Sequence, residues 1–434
     1  VSSITIGIIG IVVLLLMFAF RVPVSISLFI VGTVGYSLIR DVDSGLVQLA
    51  TTPYSTASSY SLSVIPLFIL MGMILSYSNL GKDLYNAVDS WLGRIRGGLA
   101  MTTIGTSAIF SSISGSINAT TATMAKVAIP EMRKYNYDLG MASASVAAGG
   151  TLGPLIPPSV IMIVYGVLTM EPIGQLLIAG IIPGIIQMVI FMLIIYIWAR
   201  IRPSSAPVGE KKKFGEKISS ISKVWPFFLL FVMTIGGLYF GLFTPTEAGA
   251  VGAFGSFVLA LITRRLSWES LKKALSETTR LTAMIFLILM GADIFSQFLS
   301  ISRIPSEITT FVGNVDLSPL TILILMLIVY FILGLFLEGI AILVLTMPIV
   351  YPLLEQLGFD GVWFGVIMIL VINIGLMTPP LGISIYVISG IVKDIPIQRI
   401  FKAVMPMVLA VVLCIIILII FPEIVTILPD LMRG

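Results

Sequence analysis

The chain contains no histidine and a single cysteine. Lack of histidine removes the commonest general base, the Ser-His and Cys-His nucleophile pairings, and histidine-ligated zinc. A lone Cys414, set inside an apolar run, provides neither a disulfide framework nor a cysteine metal site within one chain. Charge is scarce as well. Only 11% of the 434 residues are charged, against roughly a quarter in an ordinary soluble domain. With 58% of residues hydrophobic, the main solvent of this chain is a bilayer. An enzyme is not expected, because no paired acid or nucleophile constellation stands in for the missing histidine. The net charge of +4 and pI near 9.0 match the basic loops of a membrane protein, so no nucleic-acid partner is expected.

What is present is apolar length. Crossing about 30 Å of hydrocarbon takes roughly 20 mostly apolar residues in a helix. Runs at 6–20, 176–199 and 403–421 meet or approach that length. The first run lacks a basic leader and a small-residue cleavage site, which predicts a retained helix and not a cleaved signal. Full spans are expected at about 3–20, 22–39, 61–79, 139–169, 176–199, 224–243, 246–263, 282–299, 361–391 and 403–421. Two further apolar stretches, 100–131 and 319–356, are interrupted halfway. Ser111, Ser112, Ser114, Gly115, Ser116 and Asn118 interrupt the first; Gly334, Glu338 and Gly339 interrupt the second.

Charge asymmetry orients these segments. Arg200, Arg202, Lys211, Lys212, Lys213, Lys217 and Lys223 surround the one long polar linker, which is therefore expected in the cytoplasm. If the two interrupted stretches are re-entrant hairpins, 21 of the 25 basic residues fall on the linker's side. Only Arg40, Arg303 and Arg433 fall outside, and Lys126 lies in a hairpin arm. Both termini are then periplasmic. The hairpins enter from opposite sides, as an inverted repeat predicts. Pro130, Asp138, Gly153, Pro157 and Pro158 recur 222 positions later as Pro352, Asp360, Gly375, Pro379 and Pro380, and Met71-Gly72 recurs at Met290-Gly291. The expected fold is an all-α integral membrane protein, an inverted repeat with two re-entrant helical hairpins and two broken helices.

Proline inside a membrane helix frees backbone groups that a cavity, an ion or a neighbour must satisfy. Gly149 through Ser159 and Asn373 through Pro380 are two such breaks in register. Freed carbonyls suit a bare cation and half-helix N-termini suit an anion, so the pair of breaks points to sodium with a carboxylate. The serines and Asn118 of the first tip offer hard oxygen ligands, although serine and glycine also serve ordinary helix packing. Glu338 is a carboxylate at membrane depth, where acids usually face an aqueous or ion-binding cavity. Asp293 reads equally as a functional acid or a packing one, and Lys126 either snorkels or pairs with an acid. Segments 82–98, 264–281 and 393–402 mix charged and apolar residues, with Trp91 and Trp268 among them, and predict interfacial helices.

Residues 66–72 (PLFILMG), the tip Ser114-Gly115-Ser116, the break 149–159 and the segment 244–250 (TPTEAGA) together resemble the large membrane subunit, M, of tripartite ATP-independent periplasmic (TRAP) transporters. The resemblance covers nearly the whole chain. It implies sodium-driven import of an organic acid across the bacterial cytoplasmic (inner) membrane by an elevator motion, with Na+ as coupling ion and no organic cofactor. The partners it implies are a small membrane subunit, Q, and a periplasmic substrate-binding protein, P. On that pattern the scaffold comprises 1–80, 171–199, 224–263 and 282–318, the last including a periplasmic loop. Arms lie at 81–99 and 264–281, the cytoplasmic linker at 200–223, the transport repeats at 100–170 and 319–391, and an arm with the C-terminal scaffold helix at 392–434. Sodium ligands, largely backbone carbonyls, carry over to Ser112, Ser114, Gly115, Asn118, Gly150 and Pro154, and to Gly334, Glu338, Gly375, Met377 and Thr378. Ser112, Ser114, Ser159 and Glu338 carry over as substrate-facing; the glutamate stands where aspartate is frequent. Several hydroxyls and no obvious buried arginine pair favour a polyhydroxylated monoacid such as sialic acid over a C4-dicarboxylate. A self-sufficient sodium or proton symporter, an intramembrane enzyme and a passive channel are the competing expectations.

Overall fold

The structure, a computed structural model, describes residues 2–433 except 79, 116, 210, 211 and 381; these form helices and turns, with no strand among them. The first half runs α1 (Ser3–Ala19), α2 (Val24–Ile39), α3 (Val42–Ala57), α4 (Val64–Tyr77), α5 (Leu80–Leu92), α6 (Gly98–Ser114), α7 (Ile117–Lys134), α8 (Leu139–Gly150), α9 (Val160–Thr169), α10 (Ile173–Ala179) and α11 (Ile181–Ile201). The second runs α12 (Phe214–Ile221), α13 (Trp225–Phe231), a π-helical turn Val232–Gly236, α14 (Gly237–Tyr239), α15 (Pro245–Ile262) and α16 (Trp268–Ser302). It ends with α17 (Ile304–Asn314), α18 (Pro319–Gly334), α19 (Gly339–Gln356), α20 (Gly361–Met377), α21 (Ile383–Ile391), α22 (Ile397–Ile420) and α23 (Glu423–Arg433). Six of the described helices are long and apolar enough to cross a membrane, or seven if Phe214–Ile221 and Trp225–Tyr239, bent by 47°, count as one span.

Local chemistry sets the repeat boundaries. Asp138 caps α8 by accepting from the Met141 N–H at 2.9 Å, and its counterpart Asp360 caps α20 by accepting from Trp363 at 2.7 Å. Both interrupted stretches double back. The Tyr137 hydroxyl accepts from the Leu99 N–H at 3.4 Å, closing α6 onto the end of α7. In the second stretch the Tyr330 hydroxyl donates to Thr346 Oγ1 at 2.8 Å, joining α18 to α19.

Packing divides the molecule into two bundles. The outer one is built around α16, which lies against α2, α3 and α4, with α15 on α4 and α1 on α2. In the inner one, α6 and α7 both pack on α8, α18 packs on α20, and α21 packs on α7. The helices α11 and α22, expected in the scaffold, pack on the inner bundle instead: α11 on α6 and α22, and α22 on α8 and α20. The buried stripe Val404, Met407, Val411, Cys414 and Leu418 on α22 explains its seat, and the Trp363 indole donates to the Leu418 carbonyl at 2.9 Å across it. Two other features differ from expectation. The arm 264–281 and the following span form the single helix α16, because neither glycine nor proline occurs between Trp268 and Met290. The helix α3 occupies a stretch whose polar residues suppress its hydropathy.

Candidate transport site

A cavity of about 130 Å³ lies where four pieces of the inner bundle meet. Gly115 and Asn118 come from the first tip, Pro154 from the first break and Ile161 from α9 just after it, Glu338 from the second tip and Ile340 from the start of α19, and Asn373 and Leu376 from the second break. Ile69 and Met73 of α4 and Leu281, Met284 and Ile285 of α16 close it from the outer bundle. Among its lining residues Glu338 is the only charged one.

The breaks put helix ends at this cavity. Gly115 takes the left-handed backbone at φ +56°, which terminates α6 and lets α7 start at Ile117. The helix α8 stops at Gly150, and a run of turns carrying Pro154, Pro157 and Pro158 leads to Ser159, whose Oγ accepts from the Met162 N–H at 3.3 Å and starts α9. In the second copy α20 stops at Met377 and α21 starts beyond Gly382. Both Pro-Pro peptide bonds are cis. The first residues of four helices, Ile117 of α7, Val160 of α9, Gly339 of α19 and Ile383 of α21, therefore all line the cavity. Helix N-termini carry unpaired N–H groups and the positive end of the helix dipole. Four of them begin at one space whose lining, among the described residues, contains no lysine or arginine.

The two breaks are tied directly to each other. Asn373 Nδ2 donates to the Thr151 carbonyl at 3.1 Å, and these residues are counterparts at the 222-residue offset. The bond therefore joins matching positions of the two sequence repeats. Asn373 Oδ1 is buried and has no hydrogen-bond partner among the described residues. The Thr151 hydroxyl donates to the Ala148 carbonyl at 2.7 Å, and Gln187 Nε2 of α11 reaches that hydroxyl at 3.5 Å. Gly334 and Gly375 meet backbone to backbone: a Cβ on Gly375 would lie 2.3 Å from the Gly334 carbonyl carbon.

Of the residues expected at the site, Gly115, Asn118, Pro154 and Glu338 line the cavity. Glu338 occupies the N-cap position of α19 but makes no side-chain capping bond, which leaves its carboxylate available to the cavity. Ser112 and Ser159 do not line it: Ser112 Oγ donates to the Ile109 carbonyl at 2.6 Å, and Ser159 is engaged in its cap. Gly150, Gly334, Gly375, Met377 and Thr378 do not line it; Thr378 Oγ1 donates to the Ile374 carbonyl at 2.9 Å. The Ser114 side chain lies outside the described residues. Asp293 belongs to a different place. It accepts from Thr56 Oγ1 at 2.5 Å in the α3–α16 seam, where Gln297 Nε2 donates to Thr52 Oγ1 at 3.3 Å. Lys126 is exposed on α7, and Arg303 caps α17 at the surface with φ +63°. Asn373 is the residue missed. Its signal was visible, since it is the only amide, hydroxyl or charged side chain between Val362 and Met377.

Residues 11–424 match the family model described as "Tripartite ATP-independent periplasmic transporter, DctM component". The chain belongs to this family. It is 35% identical, over 88% of its length and 89% of the relative's, to the C4-dicarboxylate TRAP transporter large permease protein DctM of Pseudomonas aeruginosa. It is 31% identical to the sialic acid TRAP transporter large permease protein SiaM of Vibrio cholerae, covering 95% of this chain and 96% of that one. In fold it is similar to the Alcanivorax borkumensis YdaH transporter, with a TM-score of 0.64, 15% identity and coverage of 89% and 91% of the two chains. This DctM-family chain is thus a TRAP transporter large permease, a membrane transport protein and not an enzyme.

Proposed function

We propose that this permease imports an organic monoacid with sodium, receiving the acid from a periplasmic binding protein and working with a small membrane subunit in the bacterial inner membrane. The observation that carries the reading is the convergence of four helix N-termini on a cavity whose one charged side chain is Glu338. At about 0.3 to 2 kcal/mol per terminus for a nearby anion, four termini supply a few kcal/mol. That is the scale of millimolar binding for one carboxylate. A second carboxylate on the cargo would meet Glu338 with no basic side chain in the lining to offset it, which favours a monoacid of the sialic-acid type over a C4-dicarboxylate. Sodium ions travel as co-substrate. The Gly334–Gly375 backbone contact and the carbonyls around Thr378 behind the second tip, with those of the first break, are the oxygen-rich positions suited to them. Transport follows an elevator path, in which the two doubled-back stretches re-enter from opposite sides and move with the inner bundle against the outer one.

Proteoliposomes holding this chain and its small partner test the reading. Uptake of N-acetylneuraminate is expected only with an inward sodium gradient and the binding protein. Uptake that ignores sodium overturns the coupling, and uptake unchanged without the binding protein makes the chain a stand-alone symporter. Preference for succinate over N-acetylneuraminate overturns the monoacid assignment.

A further inference from the structure

The joint between the first arm helix and the linker carries chemistry that transport of the acid does not use. Four contacts bind the linker to α5 and the turn after it. The Gly209 N–H donates to the Gly93 carbonyl at 3.1 Å, Lys212 pairs with Asp89, Ser90 Oγ and Ser220 Oγ lie 2.9 Å apart, and Lys217 Nζ stands 5.1 Å over the Trp91 ring. The linker helix α12 then turns Phe214, Ile218 and Ile221 outward, 71%, 54% and 43% exposed. Spaced at i, i+4 and i+7, they form one apolar stripe. Trp91, under Lys217, and Trp225, the first residue of the next helix, are exposed as well. Lys213 and Lys223 flank α12 in sequence, Arg94 and Arg96 follow the end of α5, and all four are exposed, as is the single acid of α12, Glu216; none of the four forms an ion pair with a described carboxylate.

We propose that this shelf binds an anionic phospholipid, with the phosphate among the lysines and arginines and the acyl chains along the α12 stripe, and that the bound lipid fixes the first arm helix. A short amphipathic helix rimmed by basic residues and tryptophan is the form that lies in a bilayer interface. Its chemistry fits lipid better than a protein partner. The stripe is three side chains long, with Lys217 inside it and Lys213 and Lys223 beyond its ends; lysine is depleted from protein interfaces, whereas lysine stems reach over apolar surface to headgroup phosphates. Because Asp89, Ser90 and Trp91 of α5 hold the linker, a lipid seated on α12 restrains the arm as well.

The full chain in detergent, titrated with phosphatidylglycerol or phosphatidylcholine and read by native mass spectrometry, tests this. Phosphatidylglycerol is expected to be retained selectively and to raise the melting temperature. A surface lysine near anionic lipid is worth about fivefold in binding, so the combined variant Lys213→Gln, Lys217→Gln, Lys223→Gln should bind about a hundredfold more weakly and lose the thermal shift. The matching Lys→Arg set should keep both. Equal retention of the two lipids, or an unchanged shift in the glutamine variant, overturns the proposal. A photo-cross-linker at Ile218 in phosphatidylglycerol vesicles adds a second readout: lipid adducts support the proposal, and adducts solely to the small membrane subunit overturn it.

Discussion

A methyl group on Gly375 would lie 2.3 Å from the carbonyl carbon of Gly334, and because both belong to backbone neither can rotate away. Gly375→Ala should therefore cost about 1 to 3 kcal/mol of overpacking or more, seen as a lower melting temperature together with lost uptake. Glu338 presents the opposite case. Its carboxylate makes no side-chain capping bond and faces the cavity, so on the proposed reading it is free to bind a cargo hydroxyl or the co-transported sodium, and Glu338→Ala should leave the melting temperature unchanged while uptake falls at least about tenfold, the effect of losing one charge-assisted bond of about 1.5 to 3 kcal/mol. Wild-type uptake in that variant would remove the residue from the site. Asn373 combines both roles. Replacing it with alanine strips the Thr151 carbonyl of its donor, and a buried group left unpaired costs about 1 to 3 kcal/mol. Asn373→Ala should lower both the melting temperature and uptake, in contrast to Glu338→Ala.

The ends of the inner helices are held by charge. Arg133 at the end of α7 donates to both carboxylate oxygens of Asp394, at 2.8 and 3.1 Å, and Arg399 of α22 donates to Asp138 at 2.5 Å. Asp394 lies in the turn before α22, and the hydrogen bonds from Arg133 hold its carboxyl below the usual range. A carboxyl depressed in the folded state adds stability above its unfolded value, about 3.9, and loses it as pH falls through the folded value. The Asp394→Asn variant should thus melt slightly below wild type by the same margin at pH 7 and pH 5, with the gap closing below about pH 4. The margin is small because both side chains are half exposed. At this scale much was legible beforehand. Gly115 and the Gly-Pro breaks disrupt helix by their own backbone chemistry, so the neighbourhoods of Asn118, Pro154 and Glu338, which line the cavity, could be picked out by position in the sequence. The helix α3 was not legible, because Gln48, Thr52 and Thr56 are buried against Gln297 and Asp293 of a helix some 240 positions away. The seat of α11 and α22 was hidden for a related reason. An apolar face looks the same whether it meets lipid or a neighbouring helix.

For the whole molecule, the Asn373–Thr151 bond ties the two breaks of the inner bundle to each other, and the cavity beside them is closed by α4 and α16 of the outer bundle. Neither relation is written in local sequence. The 222-residue offset announces a repeat, yet only tertiary structure brings a residue onto its own counterpart or gathers four helix N-termini at one cavity. This arrangement makes the proposed motion testable. If the inner bundle must slide on the outer one, a covalent tie across their boundary stops transport and a tie within the inner bundle does not. In a Cys414→Ser background, Met284→Cys with Ile340→Cys places one thiol on α16 and one on α19, both lining the cavity. Cross-linking this pair should abolish uptake and reduction should restore it. The pair Arg133→Cys with Asp394→Cys joins two positions of the inner bundle already held by a salt bridge, and cross-linking it should leave uptake near its uncross-linked level. Full uptake with the first pair cross-linked would show that the two bundles need not move past one another, and a fixed-barrier mechanism would replace the elevator.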